Sequence, residues 1–101
     1  MEHYMQQSNA AEQRAVALAD LFGVLANPYR VQILQALCTG ELNVTQILER
    51  ISITPTALSN HLTKLKRNGV VSFRREHRHL FYYISDKRVI DVLDQAALTA
   101  A

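Results

Sequence analysis

From Ala11 to Leu25 the apolar residues Ala11, Ala15, Leu18, Leu21, Phe22 and Leu25 recur at helical spacing, which predicts an amphipathic helix. Asn27-Pro28 opens a second helix, an N-cap followed by proline in the first turn. It carries Val31, Ile33, Leu34 and Leu37 and stops near Thr39-Gly40. A third helix starts at Asn43, with Gln46 three residues on in capping-box register, and runs through Val44, Ile47 and Leu48 to about Ile51. Ser52-Ile53-Thr54 is a tight connector. Thr54 then caps a fourth helix that begins with Pro55 and ends at Asn68-Gly69.

The period then changes. Val71 and Phe73 alternate with Ser72 and Arg74, and Leu80, Tyr82 and Ile84 alternate with His79, Phe81 and Tyr83. Alternation predicts strands, and the charged tip Arg75-Glu76-His77-Arg78 between them predicts a β-hairpin. A last helix from about Ser85 places Val89, Val92, Leu93 and Ala96 on one stripe. The order is four helices, a hairpin and a fifth helix: a mainly α (α+β) winged helix-turn-helix. Its parts are a tail over 1–9, end helices over 10–26 and 85–98, a helix-turn-helix over 43–69 and a wing over 70–84.

On a helical wheel of about 100° per residue started at Pro55, Leu58, Leu62 and Leu65 gather on one side, with His61 beside them. The opposite side holds Thr56, Asn60, Thr63 and Arg67, flanked by Ser59 and Lys64. An ordinary exposed helix face carries Glu/Lys pairs, yet this helix has no acid between Pro55 and Asn68. Short polar groups at the start and cations at the end suit a DNA major groove, where base edges meet the former and phosphates the latter. Asn60 is the leading base reader, because its amide matches adenine N6 and N7. Thr56, Ser59 and Thr63 share that face. Thr54, Lys64, Lys66 and Arg67 are placed for the DNA backbone, and Arg74, Arg75, His77, Arg78 and His79 of the wing for the backbone or minor groove beside the site.

Charge sharpens this picture. The 101 residues carry a net +2, but three arginines face five acids in residues 1–50, while eight bases face four acids in residues 51–101. Six of those eight bases lie between Lys64 and Arg78, with Glu76 as the one acid among them. The length fits one domain. The lone Cys38 makes no internal disulfide, and no secretory leader is visible, so the expected compartment is the cytoplasm. No apolar stretch approaches the roughly 20 residues a membrane span needs. No nucleophile–base pair, P-loop or glycine-rich phosphate cradle is present, so neither catalysis nor a cofactor is expected.

Four stretches resemble the ArsR/SmtB family of small bacterial winged-helix repressors: residues 25–34 (LANPYRVQIL), 40–44 (GELNV), 56–62 (TALSNHL), and 69–71 (GVV) through the wing to 81–83 (FYY). The resemblance covers roughly residues 12 to 97. It implies a homodimer on palindromic DNA, with Leu18, Phe22, Val89, Val92, Leu93 and Ala96 of the end helices forming the interface. An inducer in such a protein must move the two heads relative to each other; nothing in the sequence identifies one here.

Metal-sensing relatives carry Cys-x-Cys at the start of the third helix, where this chain has Asn43 and Thr45. A second family site pairs Asp-x-His with a later histidine, and here Asp86, Arg88 and Thr99 hold those positions. No metal is expected at either. Redox-sensing relatives use two cysteines; Cys38 is expected to be a small packed residue, with a mixed or intersubunit disulfide as the alternative. His61 is expected to be structural. His77 and His79 with Glu76, or His3 with Glu2, are weaker metal alternatives. The other functional class left open is a winged-helix module that binds a protein through the same surface without an operator.

Overall fold

The computed structural model describes residues 9–100. Five helices and one hairpin follow in order: α1 (Ala10–Leu25), α2 (Pro28–Leu37), α3 (Val44–Arg50), α4 (Pro55–Arg67), β1 (Val71–Glu76), β2 (His79–Ile84) and α5 (Lys87–Ala100). Each helix start has the cap its sequence offers. The Asn27 carboxamide accepts the backbone N–H groups of Tyr29 and Arg30 at 2.9 and 3.1 Å. Asn43 and Gln46 form a reciprocal capping box, each side chain bonded to the other's backbone at 2.9 Å. Such a cap is worth about 1 kcal/mol. Asn9, which its polarity places in the tail, instead caps α1 by accepting the Glu12 N–H at 2.8 Å. The remainder of that tail, including His3 and Glu2, lies outside the described residues.

The core is one apolar cluster of Leu21 and Val24 of α1, Ile33, Leu34 and Leu37 of α2, Ile47 of α3, Leu58, Leu62 and Leu65 of α4, Val71 of β1 and Val89 of α5, with Tyr82 and Ile84 of β2 packed partly against it. Leu58 and Leu65 are fully buried, and each such side chain contributes roughly 1.5–3 kcal/mol by leaving water. That apolar stripe fixes α4 in rotation, so its opposite face must look outward.

The antiparallel wing pairs Val71 with Ile84, Phe73 with Tyr82 and Glu76 with His79. Its turn is tighter than the charge pattern predicts: Arg75 and Glu76 belong to β1, leaving His77 and Arg78 at the tip. His77 takes a left-handed φ of 56°, a conformation in which histidine is enriched among non-glycine residues. A third extended piece joins the hairpin. Leu42 exchanges both backbone hydrogen bonds with Tyr82, at 3.1 and 2.8 Å, which pins the α2–α3 connection to the root of the wing. Beyond β2 the chain is fastened again, by the Ser85 hydroxyl on the Gly69 carbonyl at 2.9 Å. The last helix therefore starts two residues later than expected, at Lys87, after Asp86 accepts the Arg88 N–H at 3.0 Å.

α1 is the exception to this packing. Residues 10–20 are all exposed, and it joins the core only from Leu21 onward. Val16, Leu18 and Phe22 are 62%, 42% and 51% exposed, and Val92 of α5 is 38% exposed. Ala96 is exposed as well. Val89 does not belong with this set: it is fully buried inside the protomer, and Leu93 packs partly against the same core. One stripe of α5 thus divides into an inner half and an outer half. Among the described residues no helix is long and apolar enough to cross a membrane.

Candidate nucleic-acid interface

α4 presents Thr56, Ser59, Asn60, Thr63, Lys64, Lys66 and Arg67, every one of them exposed. The Thr54 hydroxyl accepts the Ala57 N–H at 3.2 Å and so caps the helix that carries this face. Thr63 donates its hydroxyl to the Ser59 carbonyl at 2.9 Å, leaving an oxygen acceptor and a methyl group outward. Asn60 is unencumbered: neither end of its amide is bonded within the described residues. At the far end Asn68 donates to the Lys64 carbonyl at 2.8 Å, and Gly69 at φ 72° turns the chain into the wing.

The cations divide into two kinds. Lys64, Arg67, Arg75 and Arg78 make no ion pair among the described residues. Lys66 leans its ammonium over the Phe73 ring, 5.1 Å from the centroid, an attraction that holds a charge in place while leaving it in solvent. Arg74 is paired on the surface. Its Nε meets Glu41 at 2.6 Å, its Nη1 meets Glu76 at 2.6 Å, and its guanidinium lies 4.8 Å over the Phe81 ring. The hydrogen bonds it donates to Glu76 and then Glu41 push its pKa up. Arg74 thus meets two carboxylates, while Arg75 and Arg78 are the wing arginines without an ion pair among the described residues. His77 is exposed at the tip, and the exposed His79 packs edge-on against Phe81, 6.3 Å between centroids.

His61 behaves as the structural histidine the leucine stripe implies. Its Nδ1 lies 3.5 Å from Arg30 Nη1, and its ring meets Tyr29 at 5.9 Å. Burial, then the nearby Arg30 charge, lowers its pKa. Arg30 also donates to the Val24 carbonyl at the end of α1, so one guanidinium spans α1, α2 and α4.

Cys38 is not the packed residue expected of it; it is exposed at the end of α2. Partial burial, then the Asp94 carboxylate, raises its thiol pKa, which works against the thiolate that redox sensing needs. Where metal-sensing relatives pair Asp-x-His, Asp86 is clasped by Arg88 at 2.6 Å, and the hydrogen bond from that arginine lowers the carboxyl pKa. Among the described residues no three histidine, cysteine or acidic side chains stand close enough to hold a metal ion.

A helix with an open polar face, a basic hairpin beside it and a helical scaffold behind define a winged-helix DNA-binding regulator. Residues 27–72 match the family described as bacterial regulatory protein, arsR family. The nodulation protein NolR of Rhizobium meliloti is 33% identical over 94 residues, covering 92% of this chain and 77% of that protein. The chain therefore belongs to the arsR family of transcriptional regulators. Among solved structures, the transcriptional repressor BigR from Xylella fastidiosa superposes with a TM-score of 0.85 at 26% identity, over 90% of this chain and 93% of that one. The homodimeric winged helix-turn-helix DNA-binding domain Mb0332 from Mycobacterium bovis gives 0.80 at 31% identity, over 93% and 87%.

Proposed function

We propose that the chain works as a homodimer that binds an inverted-repeat operator and represses transcription from the promoter it covers. The observation that carries the reading is the outer face of α4, which is exposed, free of acids and ordered from small polar groups at Thr56 to cations at Arg67. Thr56, Ser59, Asn60 and Thr63 read base edges. Thr54, Lys64, Lys66 and Arg67 hold phosphates, and Arg75 and Arg78, with His77 and His79, reach the DNA beside the site.

Dimerisation is supported by Val16, Leu18, Phe22 and Val92, exposed apolar residues on α1 and α5, and by the homodimeric Mycobacterium bovis relative. A two-fold axis between the α1 helices sets two α4 helices into successive major grooves, about 34 Å apart. Occupancy of a promoter in this way excludes polymerase. The protein acts in the cytoplasm, where its DNA is, and performs no catalytic step.

Selection of bound duplexes from a random DNA pool tests this reading. The expected product is an inverted repeat with half-sites one helical turn apart. A pool without enrichment would assign the surface to a protein partner instead.

A further inference from the structure

The outer ridge of α4 is bordered by two recesses. On the wing side, Leu62, Thr63, Lys66, Arg67, Phe73 and Tyr82 line a hollow of about 320 Å3. On the other side, Tyr29, Ser52, Ile53, Thr54, Ala57 and His61 line one of about 420 Å3. A helix laid in a major groove has a sugar–phosphate strand on each side, roughly 12 Å apart, so a recess on each flank is where the two strands would lie. The wing-side hollow holds two cations, Lys66 and Arg67. The opposite hollow is lined by no cation, because Arg30 behind it is turned inward onto Val24 and His61.

What that second hollow does offer is hydroxyl groups. Among the described residues neither the Tyr29 nor the Ser52 hydroxyl has a hydrogen-bond partner. Thr54 uses its oxygen to accept the Ala57 N–H, so its hydroxyl hydrogen is still available to donate. The Tyr29 ring lies 5.9 Å from that of His61, and both line the hollow. Neutral O–H donors lining an open hollow beside a groove-reading helix suit an anionic oxygen that carries its own charge.

We propose that Tyr29, Ser52 and Thr54 seat a DNA phosphate on the flank of α4 opposite the wing, through hydroxyl donors rather than ion pairs. The inference rests on the DNA-binding reading of α4. On the wing side the phosphates meet the charges of Lys66 and Arg67, and at this hollow a phosphate meets hydroxyl donors.

The test is affinity as a function of chloride salt for the full chain, Tyr29→Phe/Ser52→Ala, and Lys66→Gln/Arg67→Gln. Each is measured on a selected duplex and on a random-sequence duplex, with thermal melting as a check of the fold. Removing neutral donors is expected to weaken binding to both duplexes by the same factor, about tenfold or more, at an unchanged salt slope. Removing the two cations is expected to flatten the slope, by about 0.9 for each phosphate no longer neutralised. Ser52→Ala alone, at an exposed position, is expected to show part of the first effect.

Unchanged affinity of the hydroxyl variant on both duplexes would overturn the proposal while leaving α4 as the DNA reader. Weakening confined to the selected duplex would also overturn it, by making these residues base readers. A wild-type chain that binds neither duplex would overturn the DNA reading itself. Titration with inorganic phosphate, followed at the Ser52 amide resonance, separates the sources of the anion. No saturable shift is expected, and a saturable one would give the hollow to a free anion.

Discussion

Glu41 holds Arg74. The 2.6 Å approach of the Glu41 carboxylate to Arg74 Nε joins residues 33 positions apart, and the Leu42–Tyr82 bridge beside it is what brings them together. Once Leu42 is fastened to β2, Glu41 lies beside that strand, and Arg74 reaches it from β1 across the Phe81 ring. Both side chains are well exposed, so the pair adds little to stability. Its consequence is for charge: an arginine that looks like a DNA-binding residue in the sequence already meets two carboxylates. Arg74→Gln is expected to leave the salt slope of DNA binding nearly unchanged, whereas Arg78→Gln is expected to lower it by about 0.9 per phosphate that this cation neutralises. Equal slopes for the two variants would return Arg74 to the DNA surface.

The division of α5 into an inner and an outer half separates folding from association. Val89→Ala removes buried volume from the protomer and is expected to cost about 2 kcal/mol, measured by chemical denaturation. Phe22→Asp alters a side chain that is half exposed and is expected to give a monomer with unchanged helix content, measured by light scattering and circular dichroism. A folded dimer from Phe22→Asp would move the interface elsewhere.

His61 gives stability a pH dependence of known sign. Burial and Arg30 lower its pKa in the folded chain, so the unfolded chain binds the proton more readily. Stability contributed by the neutral imidazole is present above the unfolded value, about 6.5, and is lost as pH falls through the lower folded value. Denaturation midpoints are expected to fall on acidification through this window, and His61→Gln is expected to reduce that slope. A slope identical to wild type would remove His61 as its source.

Cys38 is exposed but electronically quiet. With its pKa raised by burial and by Asp94, alkylation by iodoacetamide near pH 8 is expected to run slower than for a free cysteine peptide. Asp94→Asn is expected to bring the rate closer to that reference. Faster reaction than the peptide would restore Cys38 as a thiolate sensor.

The helices are legible in the sequence because their start signals and apolar stripes agree: Asn27-Pro28, Asn43 with Gln46, and Thr54-Pro55 each cap the helix their spacing implies. The outer face of α4 is legible for the same reason, since burying Leu58, Leu62 and Leu65 leaves only one orientation for Asn60. The Leu42 bridge is not, because a single extended residue has no periodicity, and without it the Glu41–Arg74 pair is invisible. Val89 reads as a dimer residue in the sequence because an apolar stripe does not say which half faces its own core. Tyr29 and Ser52 carry no local pattern, and only the folded arrangement of α2 against the α3–α4 turn brings them beside the reading face.

The most direct measurement of the central claim is the ratio of affinities for a selected duplex and a random one, in wild type and in Thr56→Ala/Asn60→Ala. The wild-type ratio is expected to reach about a thousandfold or more. In the variant it is expected to collapse chiefly through weaker binding to the selected duplex, with the random duplex bound nearly as before, since base contacts carry the difference. A wild-type ratio near one, or equal weakening on both duplexes, would contradict the assignment of α4 as the sequence reader.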